Sequence, residues 1–220
     1  PNTLPPIDSE ALVRFEIETA KAANGARVIS VGCCTKSRQG KELAELGGMS
    51  QAGVRAVSDD GSWVSDAGLF RRILEYAKTF DLLVMSHCEV PELVQELADE
   101  GLMSTRLGLQ GTPAVAEAIG ATVEVLRWAK SRGMAVTAET CPHYLALTVD
   151  ALEDFDTNYK VNPPLRSEVD RKALIQALVD GTIDAIATDH APQAPEDQEK
   201  EFTEAASGII GFETAVSILY

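Results

Sequence analysis

No run in this 220-residue chain approaches the ~18 apolar residues of a membrane-spanning helix, so no such helix is expected. No secretory signal pattern opens it. Basic residues are scarce: 19 Lys plus Arg face 34 Asp plus Glu, a formal net charge of -15. Nucleic acid and anionic membrane both need a basic face, so neither is expected as a partner. The four cysteines, Cys33, Cys34, Cys88 and Cys141, make no CxxC pair, which excludes a zinc knuckle and a thioredoxin motif. They are expected to be reduced, in a cytoplasmic protein. The chain has only three histidines, few for a two-metal centre. Internal repeats and low-complexity segments are absent.

What is present reads as an ordinary globular domain. Hydrophobic residues make up 45% and charged ones 24% of the chain. The length suits a single domain with ample chain for a core.

The chain is organised around Thr182–Pro192, TIDAIATDHAP. Its apolar alternation after Gly181 predicts a short buried strand that ends at Asp189-His190, and Pro192 cannot continue a ladder. An acid and an imidazole thus stand where a parallel strand opens into a loop, the rim that carries chemistry in α/β barrels. A helix-capping Asp and a surface His explain that stretch alone equally well. Further strands are predicted at Ala26–Gly32, Val54–Ser58, Leu82–Ser86 and Ala135–Thr140. Helices are predicted over Glu10–Ala23, Lys41–Leu46 (stopped by Gly47-Gly48), Asp66–Thr79, Pro91–Glu100, Pro113–Ile119, Thr122–Arg132, from a capping box at Ser167 and Asp170 to Val179, and over Gly211–Tyr220. Gly108–Thr112 reads as a loop.

Alternating strands and helices mean βαβ units and a parallel sheet. The first three strands recur about every 28 residues, a normal unit length. The gap from Leu82 to Ala135 is nearly doubled, and five strands are too few to close an eight-stranded barrel.

Asp59-Asp60, His87 and Asp189-His190 all stand at strand ends. Carboxylates and imidazoles from separate strand ends are what a hydrolytic zinc or manganese site needs. Each has a plainer explanation: DDG is a common turn, His87 can be a satisfied core histidine, and His143 beside Tyr144 reads as structural. Their coincidence favours a site.

PNTLPPID, AVSDDG, SHCE, GTPAVAEA, TAETCPHYLALT, KVNPPLR, DGTIDAIATDHAP and GIIGFETA follow one another in an order that resembles the dihydroorotases of the amidohydrolase superfamily, of the DDG type. TCPHYL is also similar to allantoinases and hydantoinases, which carry a lysine where this chain has DDG. The resemblance implies a (β/α)₈ TIM-type barrel, incomplete here, in a single domain over 1–220. It implies reversible cyclisation of N-carbamoyl-L-aspartate to L-dihydroorotate, a step of pyrimidine biosynthesis, by a metal-dependent enzyme with one or two zinc ions or another divalent metal. Asp60, His87 and Asp189 would be metal ligands, with Asp189 also the general base. Asn2, Asn162 and the backbone at Ser207 and Gly208 would contact the small-molecule substrate, and Arg166 has charge suited to a carboxylate. A homo-oligomer is expected. The alternatives are an allantoinase- or hydantoinase-like cyclic-amide hydrolase, or a non-catalytic partner of aspartate transcarbamoylase.

The departures from that pattern are specific. The family's His-x-His on the first strand and its sixth-strand histidine have no counterpart, Gln193 replaces a substrate-binding histidine, and Val90 replaces an acid. Segments of a longer protein are therefore expected to be missing before Pro1 and near Gly120, because a barrel without three strands would expose its neighbours' flanks.

Overall fold

A computed structural model describes residues 1–94, 98–118, 120 and 122–220. The chain divides into two compact units, Pro1–Pro91 and Glu92–Tyr220.

In the first unit, Val31–Gly32 (β1), Ala56–Ser58 (β2) and Leu83–Met85 (β3) form one parallel sheet in chain order. Val31 pairs with Ala56, and Val57 with Val84. Three helices accompany it: Glu10–Ala23 (α1), Leu46–Ala52 (α2) and Ala67–Thr79 (α3). Val13, Leu46, Met49, Val54, Val57 and Ile73 are wholly buried in a common core. Burying each such side chain contributes roughly 1.5–3 kcal/mol.

The local causes are legible in α3. Asp66 caps it by accepting from the Leu69 amide at 2.8 Å, and Leu69, Ile73 and Ala77 fall on the buried face at helical spacing. The glycine pair behaves otherwise than expected. The helix predicted over Lys41–Leu46 is absent; α2 instead starts at Leu46 and runs through Gly47 and Gly48. A Cβ on Gly47 would lie 2.9 Å from the Phe80 ring, so this glycine admits a packed aromatic where the pair was read as a stop. The strand predicted over Ala26–Gly32 shortens to two residues, with Val28 and Ile29 exposed. Within the described sheet, β1 is an edge with a partner on one side only.

In the second unit, Ala98–Asp99 (β4) pairs in parallel with Gly111–Thr112 (β5), and Glu139–Thr140 (β6) with Ala185–Ile186 (β7). Its helices are Leu102–Leu107 (α4), Val115–Ala118 (α5), Val123–Ser131 (α6), Pro142–Ala146 (α7), Glu168–Val179 (α8), Pro195–Gln198 (α9) and Phe212–Leu219 (α10). The capping box predicted at Ser167 and Asp170 holds, and Thr122 Oγ1 caps α6 by accepting from Val125 N, whereas Ser9 at the start of α1 makes no side-chain cap bond. Two predictions are corrected between residues 91 and 112. Gln95, Glu96 and Leu97, the centre of the helix predicted over Pro91–Glu100, lie outside the described residues, and Ala98–Asp99 is strand. The predicted Gly108–Thr112 loop supplies β5. A Cβ on Gly111 would lie 2.3 Å from Glu100 Cα, so glycine permits this close pairing. Ile119, the last residue of the helix predicted from Pro113, and Ala121 beside Gly120 also lie outside the described residues.

Lys130 Nζ reaches both carboxylate oxygens of Asp184 at 2.7 Å, and Asp184 Oδ2 accepts from Ala138 N at 2.8 Å. These contacts tie α6 and the approach to β6 to the start of β7. All four strand pairs are parallel, as α/β alternation requires, but among the described residues they form three separate sheets. Among the described residues no barrel closes, and the architecture is a partial α/β one. No described helix is long and apolar enough to cross a membrane.

Candidate functional site

In the first unit the DDG turn follows β2, and its two acids part company. Asp59 is buried, and its Oδ1 accepts from the amides of Cys34 and Thr35 at 2.9 and 3.0 Å. The Thr35 hydroxyl donates to its other oxygen. This acid holds the β1 and β2 ends together. Asp60 is exposed; its Oδ2 accepts from Asn2 Nδ2 at 2.9 Å, and its amide donates to Ser58 Oγ at 3.0 Å. The Arg38 guanidinium donates to its carbonyl. Two of the residues expected at the site, Asn2 and Asp60, are thus in contact.

His87 follows β3, the parallel neighbour of β2, so His87 and Asp60 leave the same end of the sheet. Its Nε2 lies 3.0 Å from Glu89 Oε2, and both side chains are largely buried.

In the second unit, β6 and β7 are paired with Thr140 opposite Ile186. The residues just past their ends therefore meet. Ligand atoms of Cys141, His143 and Asp189 all lie within 4.8 Å of one another. Asp189 is exposed with a left-handed φ of 46°, which turns the chain out of the strand. Burial pushes the His143 imidazole down to about 4, so at neutral pH it is neutral and keeps a ring lone pair. Sequence reasoning weighed His143 as structural and Cys141 only as a reduced thiol. The available signal was their place immediately after a strand adjacent to the Asp189 strand.

His190 turns elsewhere. Its Nδ1 accepts from the amides of Gly211 and Phe212 at 3.0 and 3.3 Å, and its ring stacks on Phe212 at 3.9 Å. The imidazole docks the start of α10.

A cavity of about 490 Å³ opens in this unit, lined among others by His143, Thr188, Gln193, Gly208 and Ile210. Gln193 Nε2 donates to the Ser207 carbonyl at 2.9 Å. Gly208 N donates to the Lys160 carbonyl at 2.9 Å. Lys160 is a further residue that sequence reasoning missed. Its side chain is buried, and its ammonium donates to the carbonyls of Phe202, Thr203 and Ala205. A lysine is almost never buried without such partners. It pins the segment leading to Ser207 and Gly208 from below. Asn162 stands two residues beyond it.

Arg166 does not wait for a substrate carboxylate. Its guanidinium donates to Asp99 Oδ1 and the Thr112 carbonyl at 2.7 Å each, and to Glu117. Burial alone would lower its pKa; Glu117 and Asp99 outweigh that and hold it above the ordinary arginine value. It is a tie between the β4–β5 ladder and α5.

Asp60 and His87 belong to the first unit and Cys141, His143 and Asp189 to the second. The His143 Nε2 is buried without a hydrogen-bond partner among the described residues, a donor set with nitrogen, sulfur and carboxylate beside it. These residues fit a divalent metal.

The fold is similar to that of solved hydantoinase and dihydroorotase structures. An L-hydantoinase (dihydropyrimidinase) from Arthrobacter aurescens matches all of this chain and 56% of its own, with a TM-score of 0.78 at 21% identity. A dihydroorotase from Saccharomyces cerevisiae, solved with 5-fluoroorotic acid, matches all of this chain and 69% of its own, with a TM-score of 0.71 at 17% identity. By sequence, the chain belongs to the dihydro-orotase-like family, whose sequence pattern matches residues 1–138. A curated dihydroorotase from Ruminiclostridium cellulolyticum is 45% identical over 239 residues, covering 98% of this chain and 56% of the relative. The chain thus spans little more than half the length of such relatives. That alignment runs over 239 positions while covering 98% of this 220-residue chain, so it contains gaps on this chain's side.

Proposed function

We propose that the protein to which this chain belongs is a dihydroorotase, interconverting N-carbamoyl-L-aspartate and L-dihydroorotate in pyrimidine biosynthesis in the cytoplasm. The observation that carries this reading is identity of 45% with curated dihydroorotases along nearly the whole chain. Asp189 standing beside a fitting donor set supports it. The gaps in the alignment with the relative support a segment absent from this chain, and motif spacing suggests its place near Gly120, where the sixth-strand histidine is expected.

In the second unit Asp189 with Cys141 and His143 would hold a metal; in the first, the family pattern assigns Asp60 and His87 as metal ligands. We propose zinc, as one or two ions. When bound, the metal supplies Lewis acidity toward the ring amide and lowers the pKa of water. Asp189 takes the proton from the attacking water and delivers it to the departing ring nitrogen; in the cyclising direction it runs the same path backwards. Asn2, Asn162 and the Ser207–Gly208 backbone orient the substrate. Gln193, where the family has a histidine, acts through the Ser207 carbonyl it holds.

The similarity to the Arthrobacter aurescens hydantoinase favours one second reading, a hydrolase of hydantoin- or allantoin-like rings. The test uses the full-length protein with carbamoyl aspartate, dihydroorotate, hydantoin and allantoin. Metal-dependent turnover of the first pair, abolished by Asp189→Asn, is expected. Preference for hydantoin or allantoin decides for the second reading. A metal-free, inactive homo-oligomer that binds aspartate transcarbamoylase decides for a scaffold.

A further inference from the structure

The β6–β7 ladder brings three donors of different chemistry to one strand end, with their ligand atoms within 4.8 Å. The family resemblance assigns only one of them, Asp189, to a metal. His143 is 5% exposed, and its Nε2 is buried without a hydrogen-bond partner among the described residues. Such an orphaned polar atom is rare and needs a partner that the protein itself does not supply. Cys141 stands at the N-cap of α7 but makes no side-chain cap bond there. Residues on either side of Asp189, Thr188 and Ala191, line the same cavity as His143.

We propose that Cys141, His143 and Asp189 form a metal site with a sulfur donor, complete within the second unit. Sulfur and imidazole select a borderline-soft ion, zinc or cobalt, over magnesium or manganese. Three protein donors would leave a four-coordinate ion one further position for water or substrate. The thiol gives up its proton to the buffer on binding, one per ion. This assignment rests on the ladder and the contacts and is independent of which cyclic amide is turned over.

The 220-residue chain, reduced and stripped with a chelator, is titrated with Co²⁺ and followed by absorption, with circular dichroism to verify folding. A sulfur-to-cobalt charge-transfer band is expected at one ion per chain. Cys141→Ser should remove the band, and His143→Gln should weaken binding by about tenfold or more. Glu75→Gln, an exposed change in the first unit, should leave both unchanged. Cobalt binding without the band, or no binding by folded chain, overturns the proposal. So does loss of binding on Asp60→Asn, which would place the ion on the expected oxygen and nitrogen ligands instead.

Discussion

Asn2 Nδ2 donates to Asp60 Oδ2 at 2.9 Å across 58 positions of sequence. One residue was expected to touch substrate and the other to hold metal. Their contact means that the orientation of the Asp60 carboxylate depends on the N-terminal segment. The pair is exposed, so the bond is worth no more than ~1 kcal/mol of stability. Asn2→Ala should therefore shift urea unfolding by that amount or less. In the full-length protein it should lower kcat/KM by about tenfold or more, because a misplaced catalytic group is costly. Equal and small effects on both measurements would make the contact merely structural.

Arg166 answers two acids at once, Asp99 and Glu117. Arg166→Met leaves both carboxylates beside an apolar chain in a largely buried place. Breaking such a network by removing one partner costs ~3–5 kcal/mol. Urea midpoints of the native protein, Arg166→Met and the double variant Arg166→Met/Asp99→Asn check this; a double variant no more stable than Arg166→Met would mean that packing of the stem matters more than charge.

The sheet-bound cysteines give a pH test. Burial, with Asp59 adding to it, pushes the Cys33 thiol up from 9.0 to about 12. Cys34 is raised for the same reasons. The folded state therefore keeps these thiols protonated while the unfolded chain ionises. Their contribution to stability is fully present below pH 9 and should fall as pH rises from 9 toward 12. Cys33→Ala should flatten that alkaline slope. In native protein at pH 8, Ellman's reagent should react with neither Cys33 nor Cys34 until denaturant is added.

The sequence revealed what depends on neighbours close along the chain. The α3 stripe, the Ser167 capping box and the strand end at Ser58 follow from local period and caps, while the strands read to Ser86 and to Asp189 stop earlier, at Met85 and Ile186. It concealed what depends on distant contacts. Gly47 looks like a helix stop unless Phe80 is known to lie against it, and β4–β5 forms because Gly111 lets the Glu100 backbone approach. The site divides in the same way. Asp60, His87 and Asp189 could be picked from strand ends, whereas Lys160 and the turn of Arg166 toward Asp99 need the folded chain. Cys141 and His143 fall between: their position after β6 was visible, but its pairing with β7 was not.

Gly208 is where the fold meets the expected substrate backbone most tightly. Its φ of 152° lies in the region that favours glycine, and an added Cβ would sit 2.3 Å from the Ala191 carbonyl oxygen and 2.8 Å from Gln193 Nε2. Neither neighbour can yield freely: the Ala191 amide is bonded to the Ile209 carbonyl, and Gln193 holds Ser207. Gly208→Ala must therefore move the 207–209 backbone and strain the bond from Gly208 N to the Lys160 carbonyl. Strain of this kind costs ~1–3 kcal/mol. In the full-length protein, KM for dihydroorotate should rise about tenfold to a hundredfold. Amide exchange should speed up over 203–209 while staying unchanged in the first unit. Unaltered KM with faster exchange would show that this backbone supports the cavity wall without touching substrate.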